Sequence, residues 1–437
     1  MRTRFNRTVT ALAAIVLALT ACSKADTPTP SGTDPDAALT NGGKLLVWSW
    51  EPTLKNVVTK FEAKYPKVDV ELVNAGTGGK QYTALQNAIT ANSGVPDVAH
   101  IEYYALPQFA LAKSLTTLAP FGADKLDGTF TPGPWNGVRQ GSAIFGLPMD
   151  SGPMALFYND DVFKRYNVKI PTTWDGYLDA ARKLHAADPN VYITNDTGDA
   201  GFTTSMIWQA GGRPYKVDGT NVTIDFSDAG TKKFADLWQK LIDEKLLAPI
   251  PSWSDAWNKG LGEGTIATLT IGAWMPANLE SGAKAGAGKW RVSDMPQWTA
   301  GGKVSAENGG SSLAVMEKSA NKALAYAFLR YATTGEGATS RASEGAFPAT
   351  LADLNSPAFV DKEFTYFGGQ KVNQVLAQAA KNVATGWNYL PFQVYANDKF
   401  NDTVGKAYVS PTKLADGLAA WQAECKTYGN TQGFAVK

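Results

Sequence analysis

The chain has 437 residues, a net charge of +1 and 13 tryptophans, but only two cysteines and two histidines. That length holds two or more domains and a sizeable core. Interspersed charges near neutrality supply no basic face for nucleic acid or a membrane surface, and two cysteines cannot build a disulfide framework.

The chain starts with a basic stretch, Arg2, Arg4 and Arg7, and an apolar run, Val9–Leu19, too short to span a bilayer comfortably. Leu19-Thr20-Ala21-Cys22 follows in the order of a lipobox, which predicts a signal peptide over 1–21 and lipidation of Cys22. Cleavage removes three arginines and no acid, so the net charge falls to −2. No second long apolar run follows. The expected location is therefore the extracellular face of a bacterial cell membrane, held by lipid. Residues 22–43 are rich in Thr, Pro, Ser, Gly and Asp and predict a disordered tether. Cys425 is left without a partner and is expected as a buried, inert thiol on the last helix.

After the tether, Lys44–Trp50 reads as a buried strand. Leu54, Val57, Val58 and Phe61 carry helical spacing, and Val68–Val73 alternates like a strand. A helix over 82–91 and a strand ending at Glu102 complete β-α-β-α-β, the pattern of a parallel sheet with helices on its faces. Such sheets bind ligands beyond the carboxyl ends of their strands. Those ends are Trp48-Ser49-Trp50-Glu51, Gly76-Thr77 and Glu102-Tyr103-Tyr104. The stretch Phe145–Phe163 is punctuated by Gly, Pro and Asp and then turns apolar. It reads as a loop between two strands or as a crossover between two lobes. Downstream, Thr172 and Ser227 are expected helix caps, Asp218-Gly219 a hairpin turn, and Thr265–Ile271 a buried strand ending in Gly272-Ala273-Trp274. Ser319 is an expected cap for the helix that follows it. The last helix is expected over Thr412–Tyr428 with a stop at Gly429.

The order LLVWSWE, FEAKYPKVDVEL, YTALQNAITA, SGVPDVAHIEYYALPQFA, FGLPMDSGPMALFYNDDVF and IPTTWDGYLDAARKL resembles the extracellular solute-binding lipoproteins of carbohydrate ABC importers, the class of maltose-binding protein. The resemblance implies a two-lobed α/β fold, each lobe a mostly parallel sheet flanked by helices, joined by a multi-strand hinge. It implies a first lobe of 44–150 plus 303–355 and a second of 151–302 plus 356–437. Crossings are expected near Asp150–Pro153, Thr299–Lys303 and Asn355–Phe359. The implied function is binding one sugar or oligosaccharide between the lobes, as a monomer, and delivering it to membrane permease subunits.

A pyranose has an apolar C–H face, which an indole or phenol ring matches, and a hydroxyl rim, which carboxylates and amides match. Trp174, Trp238 and Trp421 lie on helical apolar stripes and read as packing. The mixture a sugar needs occurs in Trp48, Trp50 and Glu51, in Gly76 and Thr77, in Glu102, Tyr103 and Tyr104, and at Asp150. It recurs at Trp274, Trp298, Asn308, Gly309, Gly310, Trp387 and Tyr389. Each of these alone reads more readily as loop packing; their convergence on one cleft is what the resemblance implies. No metal or cofactor is expected, because neither His100 nor His185 belongs to a zinc-ligand spacing or a nucleophile elbow. Two carboxylates of a secreted glycoside hydrolase or lyase remain the rival reading, followed by a binder of some non-sugar solute.

Overall fold

The computed structural model describes residues 34–437. The lipobox and Cys22 lie outside the described residues. Within the expected tether, Pro35–Asn41 is a helix. Asp34 caps it with its side chain, Pro35 fits its first turn, and Leu39 is buried in the first core. A polar composition hid this helix because one leucine and a cap suffice once a core is there to receive them.

The first sheet has five strands in the order 68–73, 43–48, 98–102, 311–315, 147–148. The first three are parallel, and 311–315 runs antiparallel beside 98–102. Leu45, Val47, Val98 and Ile101 are buried in its core. That core draws its buried side chains from residues 39–149 and 313–349.

The second lobe is built around the strand Met154–Asn159. Thr268–Gly272 and Trp290–Ser293 flank it, both antiparallel. Parallel pairing here is confined to short pairs such as 194–195 with 247–248. The reason lies in the entry: the chain arrives along the hinge as a strand and its partners run back toward that hinge. Strand alternation puts Met154 and Leu156 in one hydrophobic cluster and Ala155 and Phe157 in another.

Two chain segments cross between the lobes side by side. Met154 N–H donates to Ala306 O at 2.9 Å, Asn308 N–H to Gly152 O at 2.8 Å, and Met149 N–H to Ser311 O at 2.8 Å. Gly152 is required by this approach, since a Cβ there would stand 2.3 Å from Asn308 O. The second crossing is therefore Ala306–Gly310 rather than Thr299–Lys303. Residues 297–302 stay in the second lobe, where Gln297 pairs with Thr173. The third segment passes earlier than Asn355–Phe359: Thr350 pairs with Phe130 of the first lobe, and Leu354 is buried in a second-lobe core.

The helix caps shift slightly from expectation. Thr173, Asp228 and Asn321 occupy the cap positions rather than Thr172, Ser227 and Ser319. The last helix runs Leu414–Thr431 straight through Gly429, whose missing Cβ makes room for Phe392. Cys425 is buried and free, and burial pushes its thiol up to about 12.

Candidate binding cleft

A cavity of about 300 Å³ opens between the lobes. Its first-lobe wall is the carboxyl end of strand 98–102, where Glu102 and Tyr104 face it. Tyr82 donates its hydroxyl to Glu102 Oε2 at 2.9 Å. Burial pushes the Glu102 carboxyl up, opposed by the hydroxyls of Tyr82 and Tyr104. Asn308, Gly309 and Gly310 of the second crossing line the floor.

The second-lobe wall carries the aromatics. Trp274 follows strand 268–272 and precedes the helix Met275–Gly282. Its indole N–H donates to Asn308 O at 2.7 Å, which ties this lobe's platform to the crossing strand. Gly272 serves the site through space rather than through an unusual turn. A Cβ there would stand 2.4 Å from the Trp274 nitrogen and 2.5 Å from Asn308 O. Trp253 lies against Trp274 with ring centroids 5.7 Å apart, and against Trp257 at 4.8 Å. Trp253 is 55% exposed and has φ +68°, a conformation a bulky residue rarely adopts. Asn195 holds this arrangement. It accepts from the Trp257 indole at 2.8 Å and donates to Ile250 O and Ser252 Oγ, just before Trp253.

Polar groups fill the space between. Asp199 caps the helix Ala200–Gln209, accepting from Phe202 N–H at 2.5 Å, and its carboxyl stands open in the cleft. Asp196 accepts from the Trp238 indole and the Tyr408 hydroxyl, both at 2.8 Å, and burial pushes its carboxyl up to about 6. Ser205 receives the Asn308 amide at 3.2 Å. Gln393 and Asn397 close one side, and Tyr389 stands at the edge.

A second cavity of about 480 Å³ is lined by Tyr103, Glu307, Trp387 and Tyr389. Alternation explains the split: Glu102 and Tyr104 face the first cavity and Tyr103 the second, Asn308 the first and Glu307 the second. Tyr389 touches both. Glu307 staples the two crossings, accepting from Ser151 Oγ–H at 3.0 Å and from Gly152 N–H at 2.6 Å. Burial pushes its carboxyl up to about 7.

Of the expected site residues, Glu102, Tyr104, Trp274, Asn308, Gly309, Gly310 and Tyr389 meet at the first cavity; Tyr103 and Trp387 meet at the second. The others line neither. Trp48 packs against the first core. Trp50 stacks on His100, ring centroids 3.7 Å apart, and meets Tyr82 edge-on. Glu51 accepts from the Thr53 hydroxyl at 2.7 Å, and Gly76 and Thr77 lie in the loop before the helix Gly79–Ala91. Asp150 turns inward and accepts from Ser311 N–H at 2.6 Å; burial pushes its carboxyl up to about 6 against the pull of Arg341. Trp298 donates to Gln209 and packs on Trp174. Sequence reasoning missed Trp253, Asn195, Asp196 and Asp199. Only Trp253 carried a signal, an indole among Pro, Ser and Asp with no apolar stripe to join.

Two lobes, paired crossing strands and a cleft walled from both sides define a hinged solute-binding protein. A family model described as bacterial extracellular solute-binding protein matches residues 48–339, and the chain belongs to that family. A lactose-binding protein of Rhizobium radiobacter is 26% identical over 355 residues, 77% of this chain and 81% of that one. The ABC transporter associated binding protein of B. animalis subsp. lactis, solved with β-1,6-galactobiose, is 46% identical with a TM-score of 0.81, covering 91% of this chain and 100% of that one. The galacto-N-biose-/lacto-N-biose I-binding protein of Bifidobacterium longum shares the fold at TM-score 0.78 and 24% identity, over 91% and 99% of the two chains.

Proposed function

We propose that this chain is the lipid-anchored substrate-binding subunit of an ABC importer, and that it binds a di- or oligosaccharide in the first cavity and hands it to membrane permease subunits without chemical change. The observation that carries the reading is the pairing of Trp253 and Trp274 beside a rim of amides, hydroxyls and carboxylates. Indole faces take the C–H face of a pyranose, and Glu102, Asp199 and Asn308 take its hydroxyls. Relatives named for lactose and arabinooligosaccharides, and the neighbour solved with β-1,6-galactobiose, support the same class.

In this reading the lobes follow the expected division, 44–150 plus 303–355 and 151–302 plus 356–437, except at the crossings: Ala306 stays with the second-lobe core, and the third passage comes before Leu354. The ligand touches Glu102 and Tyr104 on one lobe and Trp253 and Trp274 on the other, so it stabilises the closed state. Permease subunits then recognise that state. Calorimetry with β-1,6-galactobiose and lactose, with chromatography of the mixture afterwards, tests it: saturable binding with the sugar recovered intact is expected. Released monosaccharide would replace the importer subunit with a hydrolase. The anchor reading rests on Leu19–Cys22; Cys22→Ala is expected to abolish acylation and move the protein out of the membrane fraction, and unchanged acylation would end it.

A further inference from the structure

The first cavity is uneven in charge. Glu102, Asp196 and Asp199 line it, and no Lys, Arg or His does. None of the three carboxylates has a salt bridge among the described residues. Their partners are neutral: tyrosine hydroxyls for Glu102, an indole, a hydroxyl and a backbone N–H for Asp196, a backbone N–H for Asp199. A ligand carboxylate, sulfate or phosphate entering here would meet three acids and no cation in a partly dehydrated space. A ligand hydroxyl meets the same acids as strong acceptors.

Resting on the sugar reading, we propose that this cleft selects by charge: it takes neutral glycans and excludes uronic acids and sulfated or phosphorylated sugars. The three acids then do two jobs. They accept hydrogen bonds from the hydroxyls of the right ligand and repel the wrong one, which is how a site gains specificity beyond what contacts alone provide. The tryptophan platforms cannot make this distinction, because an oxidised and an unoxidised pyranose offer them the same face.

The test uses the full mature chain and matched pairs: β-1,6-galactobiose and lactose, and each with its non-reducing C6 oxidised to the carboxylate. Calorimetry is expected to show the acids binding at least about tenfold more weakly than their neutral parents. Acids binding within threefold of the parents, or more tightly, overturn charge selection and leave the sugar reading standing. Failure of all four to bind overturns the sugar reading and this inference with it. Asp199→Asn and Glu102→Gln then separate charge from shape. Asn caps a helix about as well as Asp, so the Asp199 variant keeps its fold. Each variant is expected to narrow the neutral-to-acid ratio by about threefold or more. An unchanged ratio in both, with melting temperatures intact, means that the cavity's acids do not set the selection.

Discussion

Trp50 and Trp274 stand at matching stations, each two residues beyond the carboxyl end of a strand, and have opposite surroundings. Beside Trp50 the neighbouring strand offers His100, and the indole lies on that imidazole with planes 19° apart. Beside Trp274 the neighbours are Gly272 and Gly309, which leave a slot, and Trp253, which extends the ring surface into the cleft. An aromatic at a strand end thus reaches the cleft only if the adjacent strand leaves it uncovered. The first lobe covers its tryptophan, and contributes Glu102 and Tyr104 instead.

The sharpest way to break that contrast is Trp50→Ala. Removing a stacked, half-buried indole is expected to cost about 3 kcal/mol of stability by urea unfolding while sugar affinity holds. A large loss of affinity at unchanged stability would put Trp50 back in the site.

Glu307 sits between the two stations, on the crossing that joins the lobes. Burial pushes its carboxyl from an ordinary 4.5 up to about 7. Between those values the folded state holds a proton that the unfolded state has lost. Its contribution is therefore largest below pH 4.5, falls as pH rises, and is gone above 7, a span of roughly 3 kcal/mol. Glu307→Gln is expected to remove that part of the pH dependence of unfolding. Parallel wild-type and variant curves from pH 4.5 to 7.5 would show that Glu307 does not carry it.

Trp274→Ala is expected to cost about 2 kcal/mol of binding, more than tenfold in Kd, with little change in ligand-free melting. The reverse outcome, badly reduced stability with near-normal affinity, would make it a core residue like Trp50. Trp253→Ala is expected to be milder, about 1 kcal/mol of affinity, because the ring is more than half exposed. Its melting temperature is expected to hold, since the ring is largely exposed and covers little of the core, while Ala, which keeps a Cβ at φ +68°, leaves the backbone strain as it was. A destabilised Trp253→Ala would show that the ring's packing on Trp257 matters more than its reach into the cleft.

The sequence by itself determined the parts that depend on local periodicity and order. Helical stripes marked Trp174, Trp238 and Trp421 as packing, and each is buried. Strand runs marked the strands that lie at 43–48, 68–73, 98–102 and 268–272, two of them shifted by up to three residues, and the family resemblance made the Gly–Pro–Asp stretch the first crossing, which its spacing alone left open. The order of motifs carried the family. Only the tertiary structure decided which strand-end aromatics reach the cleft, because that depends on the residue opposite, on a strand far away in the chain: His100 under Trp50, Gly309 beside Trp274. Asn195, Asp196 and Asp199 have no local signature at all. They line the cavity because Asn195 braces the Trp253 loop, Asp199 caps a helix whose first turn borders the cleft, and Asp196 is held there by Trp238 and Tyr408. The hydrogen bonds that hold them span from two to more than two hundred positions in the chain, and no periodicity in the sequence records a contact at that range.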